Sequence, residues 1–274
     1  MISFDVCESG APLKRMERPT PTPTGSEVLL KVLAAGVCHS DIHIWDGYYD
    51  MGGGRKIQLT DRGIKLPLTM GHENVGEVVA LGPDARGAKL GERGLVFPWI
   101  GCGECKVCKA NEEQLCTTHR SLGVYRNGGY ADHLLVPHPR YLLDIGDMPP
   151  ERAAPLACSG VTTYGALKKL GPMLNQEPVV IIGAGGLGLM ALALLKAMVG
   201  VEIVISPPNR PTTISLPPLI RQSVPILTVA EAPTRSITDQ APPLVSLMIS
   251  LCASGAAPST VAIAPAALAA SRFA

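Results

Sequence analysis

Four cysteines fall within one short stretch, spaced Cys102-x2-Cys105-x2-Cys108-x7-Cys116. A Cys-x2-Cys step lets one tight turn offer two sulfurs to a single ion, and zinc takes four such thiolates tetrahedrally. Whatever the chain folds into must bring both turns to one point. Gly101 and Gly103 give the turns conformational freedom, and Lys106 and Lys109 offset the excess negative charge of the thiolates. A closed set of four sulfurs leaves no open coordination position, so this lobe is predicted to be a structural zinc site without chemistry of its own. Met1–Asp5 has neither a basic region nor an apolar core of export type, so the chain is expected in the cytoplasm. In that reducing compartment the eight cysteines favour metal binding over disulfides.

The surrounding sequence changes character twice. Residues 1–150 read as a β-rich domain: Val28–Gly36, Val75–Gly82, Gly94–Phe97 and Tyr130–Val136 are short β-branched runs punctuated by Gly, Pro and Asp. Gly52-Gly53-Gly54 sits in an irregular insertion between about Tyr48 and Pro67. Residues 151–206 carry a helical pattern over Glu151–Leu170, an apolar strand Val179–Ile182, a helix Leu187–Met198 and a second strand Glu202–Ile205. A strand buried on both faces, then a helix, then another strand is the start of a doubly wound parallel sheet. Residues 207–274 hold 11 of the 25 prolines, no lysine and one glycine, and sustain neither the helical nor the strand period. They are expected to form an irregular, poorly ordered tail. The fold class is therefore mixed α/β. The net charge of +1 gives no electrostatic reason to expect nucleic acid or membrane as a partner.

Two further motifs carry chemistry. Cys38-His39-Ser40-Asp41-Ile42-His43, Gly71-His72-Glu73 and Cys158 are weak signals singly, but together they offer two thiolates and one imidazole. Such a Cys2His set, with a fourth position open, is the catalytic zinc arrangement of alcohol dehydrogenase. Gly183-Ala184-Gly185-Gly186-Leu187-Gly188 fits G-x-G-x-x-G between a strand and a helix. There Gly183 permits the tight turn, Gly185 lets a pyrophosphate approach the backbone, and Gly188 lets helix and strand pack. The acidic ribose partner expected after the second strand is replaced by Ser206-Pro207-Pro208-Asn209-Arg210, so NAD and NADP both remain open. Trp45 and Tyr48 fit pocket lining and ordinary packing equally well.

Over residues 1–205 the chain resembles the zinc-dependent alcohol dehydrogenases of the medium-chain dehydrogenase/reductase family, two-zinc type. The resemblance implies a GroES-like β-barrel catalytic domain followed by a Rossmann cofactor domain, here incomplete. It implies two zinc ions per chain, NAD or NADP, a small alcohol or aldehyde substrate, and homo-oligomers. By the same resemblance Cys38, His72 and Cys158 hold the catalytic zinc, and Glu73 is its acidic neighbour. Asp41 orients the ligand histidine, Ser40 meets the substrate hydroxyl, and His43 ends the proton relay. His39 contacts the pyrophosphate, Thr162 lies against the nicotinamide, and Gly183, Gly185, Gly186, Leu187 and Gly188 form the cofactor loop.

Only about two strands and one helix of that second domain are recognisable, and family members normally run to 340 or more residues. The compositional switch near Val199–Pro207 fits a shifted reading frame better than a specialised extension. Cofactor affinity and turnover are then expected to be impaired. The alternative is a non-catalytic zinc-binding remnant or interaction module of the same fold.

Overall fold

The structure is a computed structural model that describes residues 1–175, 179–183, 185–198 and 203–206, and the dipeptides 226–227, 229–230 and 249–250. Packing divides the chain into two compact units. Among the described residues the first is Met1–Cys158, and the second begins at Ser159. Most of the expected tail at 207–274, including Arg210, lies outside the described residues.

The first unit is built of antiparallel strands. They are β1 (Ile2–Val6), β2 (Lys14–Glu17), β3 (Val28–Gly36), β4 (Tyr48–Asp50), β5 (Lys56–Gln58), β6 (Leu68–Thr69), β7 (Glu73–Leu81), β8 (Arg93–Val96), β9 (His133–Val136) and β10 (Leu142–Asp144). One sheet runs β10-β8-β7-β3-β9 and another β2-β1-β6. A bridge between Ser3 and Ala131 joins them into a barrel-like wall. The helices of this unit are short: α1 (His39–Asp46), α2 (Lys106–Lys109) and α3 (Pro150–Ala153). The insertion read as irregular contains the β4–β5 hairpin and a single 3-10 turn at Thr60–Arg62.

Strand β3 shows how the core is divided. Val28, Leu30 and Val32 alternate into the main core with Val78, Val96, Leu134 and Val136. An irregularity in the β3–β7 register between Val32 and Ala34 then changes the phase. Because side chains alternate with period two, one extra residue sends the remainder to the opposite faces. Ala35 thereby stays in the main core. Ala34 instead joins Val75 and Leu95 on the outer face, under Ala153, Ala154 and Ala157. Small residues on both sides let the 153–157 segment lie close against the sheet, which fixes the position of Cys158. The helix expected over Glu151–Leu170 is in fact broken there. α3 passes into a 3-10 turn at Ala154–Ala157, and Cys158 leaves helical geometry at φ −121°, ψ −74°. Pro155, which has no N–H to donate, opens the 3-10 turn, and packing against the sheet completes the break.

The second unit holds α4 (Ser159–Leu170), β11 (Val179–Ile182), α5 (Gly186–Met198), β12 (Ile203–Ser206) and β13 (Ile226–Leu227). β11 pairs in parallel with β12 on one side and β13 on the other, so the predicted strand–helix–strand unit is present. Two further short strands, β14 (Val229–Ala230) and β15 (Ile249–Ser250), also pair in parallel. Leu167, Leu174, Val179, Ile181, Ala191 and Leu195 form this unit's core.

Gly82, just past β7, has no room for a side chain: a Cβ there would lie 2.4 Å from the Gly25 carbonyl oxygen and 2.8 Å from that of Thr24. Backbone cannot yield as a flexible side chain does. Gly82→Ala should destabilise the first unit by about 1–3 kcal/mol, as overpacking does, read as a lowered denaturant midpoint at unchanged slope.

Candidate functional site

The four-cysteine lobe converges as its spacing requires. Sulfur–sulfur separations are 3.4 Å for Cys105–Cys108, 3.8 Å for Cys105–Cys116 and 3.9 Å for Cys102–Cys108. A tetrahedron with zinc–sulfur bonds of about 2.3 Å has edges of about 3.8 Å, so the four sulfurs already stand where zinc would hold them. The N–H groups of Glu104 and Cys105 donate to the Cys102 sulfur, and those of Cys102 and Thr118 to the Cys116 sulfur. The bonds from Glu104 and Cys105 hold the Cys102 thiol down to about 6, whereas burial pushes Cys108 up to about 12. Glu113, which the sequence did not single out, ties the lobe to the barrel. Its carboxylate accepts from the Gly101 N–H at 2.9 Å, the Tyr141 hydroxyl at 2.8 Å and the Arg140 guanidinium at 2.6 Å.

The dispersed set also assembles. The ligand atoms of Cys38, His72, Glu73 and Cys158 all lie within 4.8 Å of one another. The Cys38–Cys158 sulfurs are 3.7 Å apart, again a tetrahedral edge. Local geometry explains the convergence. β3 delivers Cys38 to the start of α1, where the Asp41 carboxylate accepts the Cys38 N–H at 2.9 Å, as a residue one turn into a helix does. Gly47 closes α1 at φ +83°. The other Asp41 oxygen lies 3.3 Å from the Gly71 N–H and 3.3 Å from His72 Nδ1. Gly36 leaves space for Glu73, because a Cβ there would lie 2.1 Å from its carboxylate.

His72 provides the test of whether a metal fits. It is fully buried, yet neither ring nitrogen has a hydrogen-bond partner of good geometry among the described residues. A buried polar atom left unpaired costs about 1–3 kcal/mol, and a metal ion would satisfy it. With Nδ1 turned to Asp41, the lone pair of Nε2 is left for the ion, the usual pairing of carboxylate, histidine and zinc. Burial pulls the His72 imidazole down, but Asp41 and the Cys38 sulfur outweigh it and the net shift is well upward. Hydrogen bonding from Cys158 holds the Cys38 thiol well down, and the same bond, with burial, holds Cys158 well up. Zinc takes both sulfurs as thiolates, so binding a metal ion would displace any proton they hold.

The remaining site residues fall on two separate units. His39, Ser40 and His43 all lie on α1. The rings of His39 and His43 are 4.6 Å apart, and Tyr49 sits edge-on to His43 at 4.8 Å. Burial pulls both histidines below their ordinary value. Tyr49, not Tyr48, is thus the aromatic beside His43; Tyr48 lies under the Lys56 ammonium at 3.7 Å. Trp45 is a packing residue whose indole donates to the Ala11 carbonyl at 2.7 Å. Trp99, another residue the sequence did not single out, donates to the Ala157 carbonyl at 2.9 Å and faces the His72 ring at 5.6 Å. In the second unit Gly183 takes φ +97° and α5 begins at Gly186. A Cβ on Gly188 would lie 2.0 Å from the Gly183 carbonyl oxygen, so only glycine fits. Leu187 is half-buried at the start of α5, and Thr162 is exposed on α4. Ser206 ends β12, and residues 207–225 after it lie outside the described residues.

Gly101 packs so tightly on the lobe that a Cβ would lie 2.4 Å from the Cys108 sulfur. Gly101→Ala should therefore cost the lobe its zinc while Cys38, His72 and Cys158 keep theirs, read by elemental analysis as one zinc lost per chain.

Comparison with known proteins agrees with this geometry. The alcohol dehydrogenase GroES-like domain matches residues 24–147. An NAD-dependent alcohol dehydrogenase of Sulfurisphaera tokodaii is 43% identical over 204 residues, covering 74% of this chain and 58% of its own length. The crystal structure of the alcohol dehydrogenase of Aeropyrum pernix superimposes with TM-score 0.64 at 30% identity, covering 75% of this chain and 58% of that one. That of the D-arabinose dehydrogenase of Sulfolobus solfataricus gives 0.64 at 29%, covering 75% and 59%. The chain thus spans under two thirds of the length of these relatives. Within that span the chain carries an alcohol dehydrogenase GroES-like domain and is similar to NAD-dependent alcohol dehydrogenases.

Proposed function

We propose that the chain is an NAD(P)-linked, zinc-dependent alcohol dehydrogenase acting on a small primary or secondary alcohol, or in reverse on an aldehyde or ketone. The observation that carries this reading is the convergence of Cys38, His72, Glu73 and Cys158 within 4.8 Å, around an imidazole whose nitrogens have no hydrogen-bond partner of good geometry among the described residues. Helix α1 follows Cys38 directly with Ser40 and His43. A closed structural site such as the Cys102–Cys116 lobe has no use for such neighbours.

Cys38, His72 and Cys158 would hold one zinc, and Cys102, Cys105, Cys108 and Cys116 a second. When bound, the first zinc supplies Lewis acidity toward an alcohol, and the nicotinamide supplies hydride chemistry. Asp41 lies against Nδ1 of His72, which would leave Nε2 as the nitrogen to hold the ion. Ser40 would accept the substrate's hydroxyl proton and pass it toward His43, which is half-buried and able to return it to solvent. His39 would meet the cofactor's pyrophosphate from α1. Gly183, Gly185, Gly186, Leu187 and Gly188 would receive the pyrophosphate at the N-terminus of α5, where unpaired N–H groups point outward. Thr162 would lie against the nicotinamide. The thiols require a reducing compartment, so the cytoplasm is the proposed location. Homo-oligomers are proposed on the family pattern.

Reduction of NAD or NADP with ethanol, longer primary alcohols and benzyl alcohol tests the reading. Cofactor fluorescence titration runs beside it, because no acidic ribose partner ends β12. Turnover with any of these alcohols supports the enzyme. Two zinc ions with neither cofactor binding nor turnover would instead favour a non-catalytic zinc module.

Burial lowers the pKa of His43, so its imidazole stays neutral, and able to take a proton, to a lower pH than an ordinary histidine. The acid limb of kcat/KM that His43 controls should therefore fall below pH 6.5. His43→Gln should remove that limb and slow turnover by roughly 100-fold, the low end of what a positioned proton carrier supplies.

A further inference from the structure

Tyr130 lies between the two segments that present the first metal ligands. Its ring packs so closely under Gly71 that a Cβ on that glycine would lie 2.5 Å from the ring. Its own N–H donates to the Met70 carbonyl at 3.0 Å. Its hydroxyl reaches the other segment and donates to the Gly36 carbonyl at 3.3 Å, two residues before Cys38. The residue is 2% exposed, so no water competes for the phenol.

The phenol O–H donates to the Gly36 carbonyl while the ring lies against Gly71, so one side chain links the Gly36–Cys38 strand end to the Gly71–His72 turn. Asp41 makes the same link from the other side, through the Cys38 N–H, the Gly71 N–H and the His72 Nδ1 edge. Burial raises the phenol's pKa, so it stays protonated and a donor.

We infer that Tyr130 is a positioning residue, whose buried hydroxyl holds the Gly36 strand end against the Gly71 turn so that Cys38 and His72 stay in register for the metal. The inference rests on the metal reading of that site. It concerns the hydroxyl rather than the ring, since a phenylalanine would fill the same space.

The test is zinc release from the full chain to a colorimetric chelator, compared among the wild type, Tyr130→Phe and Tyr130→Leu. Partners of a metal ligand typically change metal affinity by about 10- to 100-fold when removed. Tyr130 stands one step further out, so Tyr130→Phe should speed release of one zinc by roughly 3- to 10-fold. The zinc of the Cys102–Cys116 lobe should leave at the wild-type rate, and Tm should hold. Cobalt substituted into that same site should also show an altered visible spectrum in Tyr130→Phe.

A Tyr130→Phe chain with wild-type release and spectrum overturns the inference, even if Tyr130→Leu is damaged, because the ring alone then matters. Equal acceleration of both zinc ions with a lowered Tm also overturns it, since that is general loosening. A wild-type chain that binds only the lobe zinc removes the metal reading itself, and the inference with it.

Discussion

The first unit turns on one buried carboxylate. Asp41 is 2% exposed and reaches three groups from two distant segments: the N–H of Cys38, the N–H of Gly71 and the Nδ1 edge of His72. Taking a carboxylate out of water costs several kcal/mol, which only good local partners offset. Charge-assisted bonds to backbone N–H groups are among the stronger ones available. The consequence is geometric: helix α1 and the Gly71 turn cannot drift apart without stranding the charge. Asp41 thereby holds Cys38 and His72 in place relative to each other and sets the orientation of the His72 ring.

The remaining ligand depends on packing instead of charge. Cys158 follows a run of alanines pressed against the outer face of β3, β7 and β8. The irregularity in β3 that moves Ala34 to that face makes the close approach possible, and Trp99 pins the run at Ala157. Trp99 also stands three residues before Cys102, so one side chain connects the entry to the lobe with the approach to Cys158. The lobe itself is held to the barrel by Glu113, whose carboxylate takes three donors. The two sulfur-bearing sites thus share a scaffold but serve different ends. One is closed by four sulfurs, while the other offers three ligands and a buried acid with a helix of polar groups alongside.

Much of this was legible in the sequence because it is local. Cysteine spacing, the apolar strand before the glycine loop and the β-branched runs are short-range signals, and each appears in the structure close to its expected residues. β3 spans Val28–Gly36 as read, and α5 begins one residue before the expected Leu187. The reading of one helix over Glu151–Leu170 passes over Pro155, which has no N–H to donate; the chain turns 3-10 there and breaks at Cys158, where it lies on the sheet. Tyr130, Trp99 and Glu113 carry no motif. Each matters through a partner 28 to 94 residues away in sequence, which no window can register.

The sequence by itself determined the ligand chemistry: four clustered thiolates for a closed site, a dispersed Cys2His set, and a glycine loop between a strand and a helix. It could do so because donor type and spacing are covalent properties of the chain. Only the tertiary structure decided that Cys38, His72 and Cys158 meet, that Asp41 faces the ring of His72, and that Tyr49 rather than Tyr48 stands beside His43. Those outcomes follow from which faces of β3 and α1 become buried, and burial is settled by long-range packing that spacing along the chain does not encode.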